Sequence, residues 1–144
     1  MTIKKVGVIG AGQMGSGIAH VCALAGYDVG LYDISREAIE TGLATINGNM
    51  ARQVRSEKIT EDERKAALER ISPASKFEQF GDMDLIIESA VEDEEIKRKI
   101  FTELCPHLKE SCLIGSNTSS ISITRLAAGT DRPEKFMGIH FMNP

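Results

Sequence analysis

The chain has 144 residues, of which 42% are hydrophobic and 26% are charged, as is usual for one globular domain. Its 17 basic and 21 acidic residues give a net charge of −4, which argues against a protein that coats nucleic acid. Its three cysteines show no CxxC spacing and its three histidines form no HxxH pair, so we expect a cytoplasmic protein without disulfides or a metal site. No stretch approaches the ~20 apolar residues of a membrane span.

Short apolar stretches alternate along the chain with longer stretches whose apolar residues recur at helical spacing. The predicted strands are residues 4–10, 28–33, 84–90, 111–117 and 135–144. The predicted helices are residues 13–26, a long helix that follows Ser35 and includes 39–54, then 60–70, 92–108 and 120–128. A capping box of Thr60 and Glu63 opens the third helix, Ser119 or Ser120 is expected to cap the last one, and a turn is expected around Pro73. This alternation predicts an α/β fold, with helices on both faces of a mostly parallel sheet.

Glycines are concentrated where the first predicted strand meets the first predicted helix. Gly10, Gly12 and Gly15 form the pattern GxGxxG, with Gln13 and Met14 inside it. The pattern is weak alone, but it is typical of dinucleotide binding when it follows a strand and opens a helix. The first glycine permits a tight turn, the second lets a pyrophosphate approach the backbone, and the third lets the helix pack against the strand. The N–H groups of the helix start then bind the phosphates.

An acidic residue at the end of the second predicted strand supports this interpretation. Asp33 lies 18 residues after Gly15, where a carboxylate accepts hydrogen bonds from the adenine ribose of NAD and repels the 2′-phosphate of NADP. Arg36 nearby leaves NADP open as an alternative, and a glycine-rich turn with a solvated Asp33 is the interpretation without a ligand. A Rossmann-type half of this kind serves dehydrogenases, methyltransferases and nucleotide sensors alike, so the other strand ends must indicate the reaction.

Polar clusters follow the three later predicted strands. Their sequences are ESAVED from Glu88, SNTSS from Ser116 and HFMNP from His140. Each also has an interpretation without function: Glu92 and Lys97 as a solvated helix face, Ser119 as a helix cap, and His140 as a buried histidine. Because ligands bind at the carboxyl edge of a parallel sheet, the common position of the clusters favours one joint site.

The chain resembles the N-terminal domain of the 3-hydroxyacyl-CoA dehydrogenases over its whole length, in the segments GVIGAGQMGSGIA, ESAVED, SNTSSISIT and HFMNP. The resemblance is greatest to the short, monofunctional members, which act on 3-hydroxybutyryl-CoA. The resemblance implies NAD-linked interconversion of an (S)-3-hydroxyacyl-CoA and the 3-oxoacyl-CoA. It also implies a helical C-terminal domain that closes over the substrate and forms a dimer. We therefore expect residues 1–144 to be the NAD-binding domain alone, weakly active without that partner domain and prone to self-association.

The resemblance also implies roles for individual residues at the strand ends. His140 corresponds to the catalytic histidine, a residue type that takes and returns protons near neutral pH. Ser119 corresponds to the serine that hydrogen-bonds the substrate oxygen. Asn143 corresponds to an asparagine on the nicotinamide side, and Glu92 and Lys97 correspond to positions that touch the cofactor. The family glutamate that orients the histidine lies beyond the HFMNP motif.

A further group near the end of the long helix corresponds to CoA contacts. It comprises Asn49, Arg52 and Ser56, with Arg55 and Lys58 as candidates for the CoA phosphates. Ordinary solvated surface charge is the alternative for this group.

Two other functions of the chain also stay open. One is a stand-alone NAD(H)-binding or redox-sensing module without catalysis, and the other is a relative that oxidises sugar acids or polyols.

Overall fold

The computed structural model describes residues 2–141, which form a six-stranded, all-parallel sheet in the order β3-β2-β1-β4-β5-β6. The strands are β1 Lys5–Ile9, β2 Asp28–Tyr32, β3 Ile71–Ala74, β4 Leu85–Glu88, β5 Leu113–Ser116 and β6 Phe136–Gly138. The helices are α1 Gln13–Leu24, α2 Arg36–Arg55, α3 Glu61–Glu69, α4 Glu94–Leu104 and α5 Ile123–Ala128. This order is that of the Rossmann fold, so the predicted α/β architecture is confirmed.

Helices cover both faces of the sheet, and each face has its own apolar core. On one face, α1 and α2 pack against Val8 and Leu31, and on the other α4 and α5 pack against Ile86. No helix within residues 2–141 has the length and apolar character needed to cross a bilayer.

Pro73 lies in an edge strand, so the turn predicted around it is wrong. β3 pairs in parallel with β2 alone, with Pro73 opposite Leu31. Proline lacks the N–H that a central strand needs, and for that reason it is confined to edge strands within sheets. The chain then returns to the sheet through a 3₁₀ segment, Phe77–Phe80, that the sequence pattern did not predict.

Two other predictions at the C-terminal side also need correction. The cap of α5 is Ser122, which accepts a hydrogen bond from the Arg125 N–H at 3.2 Å, and is neither Ser119 nor Ser120. The strand predicted over 135–144 contains only β6, and Ile139 to Phe141 follow it without regular structure. Residues 142–144 of that prediction lie outside the described part of the chain.

The parallel strands bring four chain segments to one edge of the sheet. Ile9 lies opposite Glu88, Glu88 lies opposite Ser116, and Ser116 lies opposite Gly138. The connections from β1 and β4 leave in opposite directions along the sheet, since β2 lies on one side and β5 on the other. Such a switch point creates a crevice at the carboxyl edge, where ligands bind in sheets of this kind.

Candidate dinucleotide and proton-transfer site

The glycines of the GxGxxG motif have different structural roles. Gly10 adopts a φ of +104°, and a Cβ on it would lie 2.3 Å from the Ser89 carbonyl oxygen. A Cβ on Gly15 would lie 1.6 Å from the Gly10 carbonyl oxygen. Among the described residues, its own chain neighbours and helix backbone apart, a Cβ on Gly12 would meet no atom within 4 Å. Gly10 and Gly15 are therefore required by the backbone, whereas Gly12 keeps open the space that a pyrophosphate would fill.

The start of α1 is open to an anion. Within the described residues, α2, α3, α4 and α5 each begin with a side chain that accepts a backbone N–H bond. By contrast, α1 begins at Gly12 with no side-chain cap and no acidic residue in its first turn. Its first N–H groups and the positive end of its dipole therefore suit a phosphate. The residues present thus fit the pyrophosphate of a dinucleotide.

Asp33 is held beside this loop at the end of β2. Its Oδ2 accepts a hydrogen bond from the Ala11 N–H and its Oδ1 accepts one from the Ser35 N–H, both at 2.9 Å. The Arg36 side chain points away into solvent with 92% of its surface exposed, and its Nε lies 3.7 Å from Glu40. A fixed carboxylate beside the glycine loop, with the arginine directed towards Glu40 instead, fits the ribose of NAD better than the 2′-phosphate of NADP.

Two residues that support the glycine loop, Ser16 and Gly42, were not predicted from the sequence. The buried Ser16 hydroxyl donates to the Ala11 carbonyl at 3.0 Å. A Cβ on Gly42 of α2 would lie 2.7 Å from Ser16 Oγ and 3.0 Å from the Ala11 oxygen, so only glycine lets α2 approach this closely. The available signal was an isolated glycine inside a strongly periodic helix, which often marks close packing.

The crevice at the carboxyl edge contains a cavity of about 570 Å³. It is lined by Met14 of α1, by Ser89, Ala90 and Glu92 after β4, by Asn117 and Ser119 after β5, and by His140 and Phe141 after β6. The structure thus brings together residues from the glycine motif and from all three polar clusters. No group of three His, Cys, Asp or Glu side chains within residues 2–141 is arranged to hold a metal ion.

Glu92 holds the segment that contains Ser119. Its Oε1 accepts from the Thr118 hydroxyl at 2.6 Å, and its Oε2 accepts from the Ser119 N–H at 3.0 Å and from the Ser119 hydroxyl at 3.3 Å. Burial alone would raise the pKa of Glu92, but the bonds from Thr118 and Ser119 and the charge of Lys97 outweigh it and lower the pKa to about 2. Glu92 is therefore ionised at neutral pH and fixes the orientation of Ser119.

Lys97 is buried, which excludes the solvated helix face as its environment. Its ammonium group donates to Glu88 Oε2 at 2.6 Å and to the Ala90 carbonyl at 3.3 Å, and it lies 3.7 Å from Glu92 Oε1. Glu88 is also fully buried and accepts from the Ser116 hydroxyl at 2.5 Å. Lys97 and Glu88 therefore link β4, β5 and α4. Glu92 lines the cavity and lies 3.7 Å from Lys97, so it connects this buried pair to the site.

His140 lies two residues beyond the end of β6 and is exposed, so it is not the buried histidine of the alternative interpretation. Its neighbours in the chain are both held by β5: the Ile139 N–H donates to the Ser116 carbonyl at 2.9 Å, and the Phe141 N–H donates to Asn117 Oδ1 at 3.0 Å. The imidazole is thus presented to the cavity from an anchored segment. Asn143, the predicted nicotinamide contact, lies outside the described residues.

The three predicted CoA contacts share the C-terminal end of α2 and do not line this cavity. The Arg52 guanidinium donates to Asn49 Oδ1, and the Ser56 hydroxyl donates to the Gln53 carbonyl at 3.2 Å. Gln53 also bonds His20 in the second half of α1, at 2.7 Å. These residues therefore form a separate polar surface.

Comparison with known proteins identifies the family. Residues 5–144 match the family model described as 3-hydroxyacyl-CoA dehydrogenase, NAD binding domain. The chain is 64% identical over 142 residues to a 3-hydroxybutyryl-CoA dehydrogenase of Bradyrhizobium diazoefficiens, a match that covers 99% of this chain and 48% of the relative. It is 42% identical over 144 residues to a probable 3-hydroxybutyryl-CoA dehydrogenase of Bacillus subtilis, covering 100% of this chain and 50% of the relative. The chain spans about half the length of the curated relatives it matches.

Solved structures agree with the sequence matches. The crystal structure of (S)-3-hydroxybutyryl-CoA dehydrogenase PaaH1 from Ralstonia eutropha superposes with a TM-score of 0.96 at 43% identity, covering 99% of this chain and 50% of that one. A lactate dehydrogenase from Eimeria maxima superposes with a TM-score of 0.67 at 17% identity, covering 98% of this chain and 44% of that one, a likeness of fold alone. The sequence, the fold and these matches together show that the chain belongs to the 3-hydroxyacyl-CoA dehydrogenase family, as an NAD-binding domain of the Rossmann type.

Proposed function

We propose that this domain supplies the NAD site and the proton-transfer group of an enzyme that interconverts an (S)-3-hydroxyacyl-CoA, in particular 3-hydroxybutyryl-CoA, and the 3-oxoacyl-CoA. One observation carries the proposal: a residue of the glycine motif, Met14, lines the same cavity as Ser119 and His140. A dinucleotide bound at the start of α1 would extend into a cavity that contains a hydroxyl and an imidazole. The names of the relatives support the choice of substrate.

The reaction removes a hydride and a proton from one secondary alcohol. NAD, when bound, supplies the acceptor for the hydride from C3 of the substrate. His140 takes the hydroxyl proton during oxidation and returns it to the carbonyl oxygen during reduction. The Ser119 hydroxyl donates its one proton to Glu92 over a long distance of 3.3 Å, so it can turn and donate to the substrate oxygen instead. Ionised Glu92 holds the Ser119 backbone while this exchange occurs.

Complete activity is proposed for the longer protein that the relatives represent. His140 is exposed, and apolar side chains are exposed at Val91, Ile96 and Met137, to 62%, 44% and 41%. These features support a helical substrate domain or a second copy covering this domain, with dimerisation as in the family.

We assign Asn49, Arg52 and Ser56 to the CoA moiety, because they correspond to CoA contacts of the family. A cytoplasmic location fits the three free, buried cysteines.

The proposal can be tested by joining this chain to the second half of the Bradyrhizobium diazoefficiens relative and measuring acetoacetyl-CoA reduction by NADH. We expect turnover in the fusion, a loss of about 10²- to 10⁴-fold for His140→Ala, and unchanged NADH binding. A folded fusion that binds NADH but leaves acetoacetyl-CoA unreduced would contradict the proposed function. A non-catalytic NAD-sensing module would instead show no effect of His140→Ala on any of its properties.

A further inference from the structure

The segment that contains His140 is attached to the sheet by an unusual pair of hydrogen bonds. Parallel strands bond at evenly spaced residues, so the donor that follows Ile139 in this ladder is the N–H of Phe141. Ile139 bonds the backbone carbonyl of Ser116, the last residue of β5. Phe141 bonds a side chain instead, Oδ1 of Asn117, at 3.0 Å. The side chain of Asn117 thus takes the place of a strand carbonyl on the C-terminal side of His140.

Asn117 is itself fixed at two other points. Its backbone N–H donates to the Glu88 carbonyl at 2.8 Å, and its side-chain Nδ2 donates to the Ser89 hydroxyl at 3.5 Å. Ser89 adjoins the glycine turn, because a Cβ on Gly10 would lie 2.3 Å from the Ser89 carbonyl oxygen. The amide group of Asn117 suits this position, because its oxygen accepts from the Phe141 N–H while its nitrogen donates to the Ser89 hydroxyl.

We propose that Asn117 is a positioning residue that fixes His140 relative to the glycine loop. This inference rests on the proposed function, because the position of His140 affects the rate only if His140 transfers the proton. Removal of Oδ1 leaves the Phe141 N–H without its partner and frees the chain directly after His140. A displacement of the imidazole by about 1 Å is enough to lower the rate by up to ~10²-fold, since proton transfer depends on alignment.

Three variants separate this role from simple destabilisation. Asn117→Ala removes the acceptor, and Asn117→Ser does so with less change of polarity if the alanine variant does not fold. Asn117→Asp keeps an oxygen for the Phe141 N–H, and the Ser89 hydroxyl can turn to donate to the new carboxylate. Asn47→Ala is the matched control, because Asn47 on α2 accepts a bond from Arg64 and does not line the cavity.

The first readout is hydrogen exchange at the Phe141 amide in the 144-residue chain, which requires no activity. We expect exchange about 5- to 10-fold faster in Asn117→Ala than in wild type, the effect of losing one hydrogen bond. Asn117→Asp and Asn47→Ala should retain the wild-type rate. Equal exchange in wild type and in the alanine and serine variants would overturn the inference, whatever the activity.

The second readout is turnover in the fusion described above. Asn117→Ala should lower kcat for acetoacetyl-CoA reduction by about 10- to 100-fold, with the NADH dissociation constant changed by less than about 3-fold. Asn117→Asp should restore most of kcat, and Asn47→Ala should leave it unchanged. Full kcat in Asn117→Ala, in a fusion that His140→Ala inactivates, would overturn the inference but leave the proposed function intact. Full activity of His140→Ala would overturn both.

Discussion

Replacing Gly12 by alanine should weaken cofactor binding without harming the fold. A Cβ at this position meets no side chain or distant backbone atom of residues 2–141 within 4 Å, and the φ of −71° suits alanine. The free energy of unfolding should therefore change by no more than about 1 kcal/mol. The new methyl group occupies the space left for the pyrophosphate, and overpacking of this kind costs about 1–3 kcal/mol. NADH binding should accordingly weaken by roughly 5- to 150-fold.

Two other glycines provide matched comparisons, with calorimetry for NADH binding and urea unfolding for stability. Gly15→Ala places its Cβ 1.6 Å from a backbone oxygen and should destabilise the fold by at least about 3 kcal/mol. Gly48 lies inside α2, and a Cβ on it would meet no described residue outside its own helix within 4 Å. Gly48→Ala should therefore stabilise the chain by about 0.5–1 kcal/mol and leave NADH affinity unchanged. A folded Gly12→Ala chain with wild-type NADH affinity would refute the assignment of this space to the pyrophosphate.

Three further predictions concern charged groups. Lys97→Met leaves the buried Glu88 without its counter-charge and should lower the free energy of unfolding in urea by about 3–5 kcal/mol, so a loss below about 1 kcal/mol contradicts the buried pair. Because the pKa of Glu92 falls from 4.5 to about 2, ionised Glu92 stabilises the fold above pH 4.5 and this contribution is lost as the pH falls towards 2. The stability of wild type relative to Glu92→Gln should decline over that interval, and a constant difference argues against the bonds to Ser119. Asp33→Asn keeps an acceptor for the Ala11 N–H but removes the charge, so the preference for NADH over NADPH should fall by about tenfold, and an unchanged preference would separate Asp33 from the ribose.

The glycine motif could be predicted from the sequence because its requirements are local. The positive φ of Gly10 and the close contact of Gly15 with the Gly10 carbonyl oxygen both arise within six residues of chain. The parallel sheet and the gathering of three polar clusters at one edge also followed, since strand–helix alternation determines which ends of the strands meet. These two inferences were sufficient to place His140 and Ser119 near the glycine motif, whose Met14 lines the same cavity.

The features that sequence analysis missed depend on contacts between distant segments. Gly30 is needed because a Cβ there would lie 2.9 Å from a ring carbon of Phe80, which arrives fifty residues later on an unpredicted 3₁₀ segment. Lys97 fitted both a cofactor contact and a solvated helix face, because nothing in its own helix shows that it pairs with the buried Glu88. Pro73 is a turn residue by local preference, but the edge position of β3 tolerates it.

We propose above that the carboxyl edge of this sheet forms an NAD site within this chain. The most direct test is calorimetric titration of the 144-residue chain with NADH, with NADPH as the comparator. We expect saturable binding of one NADH per chain and binding of NADPH at least about tenfold weaker, because Asp33 accepts from a ribose hydroxyl and repels a phosphate. Failure of the folded chain to bind NADH, or NADPH binding as tight as that of NADH, would contradict the assignment of this site to NAD.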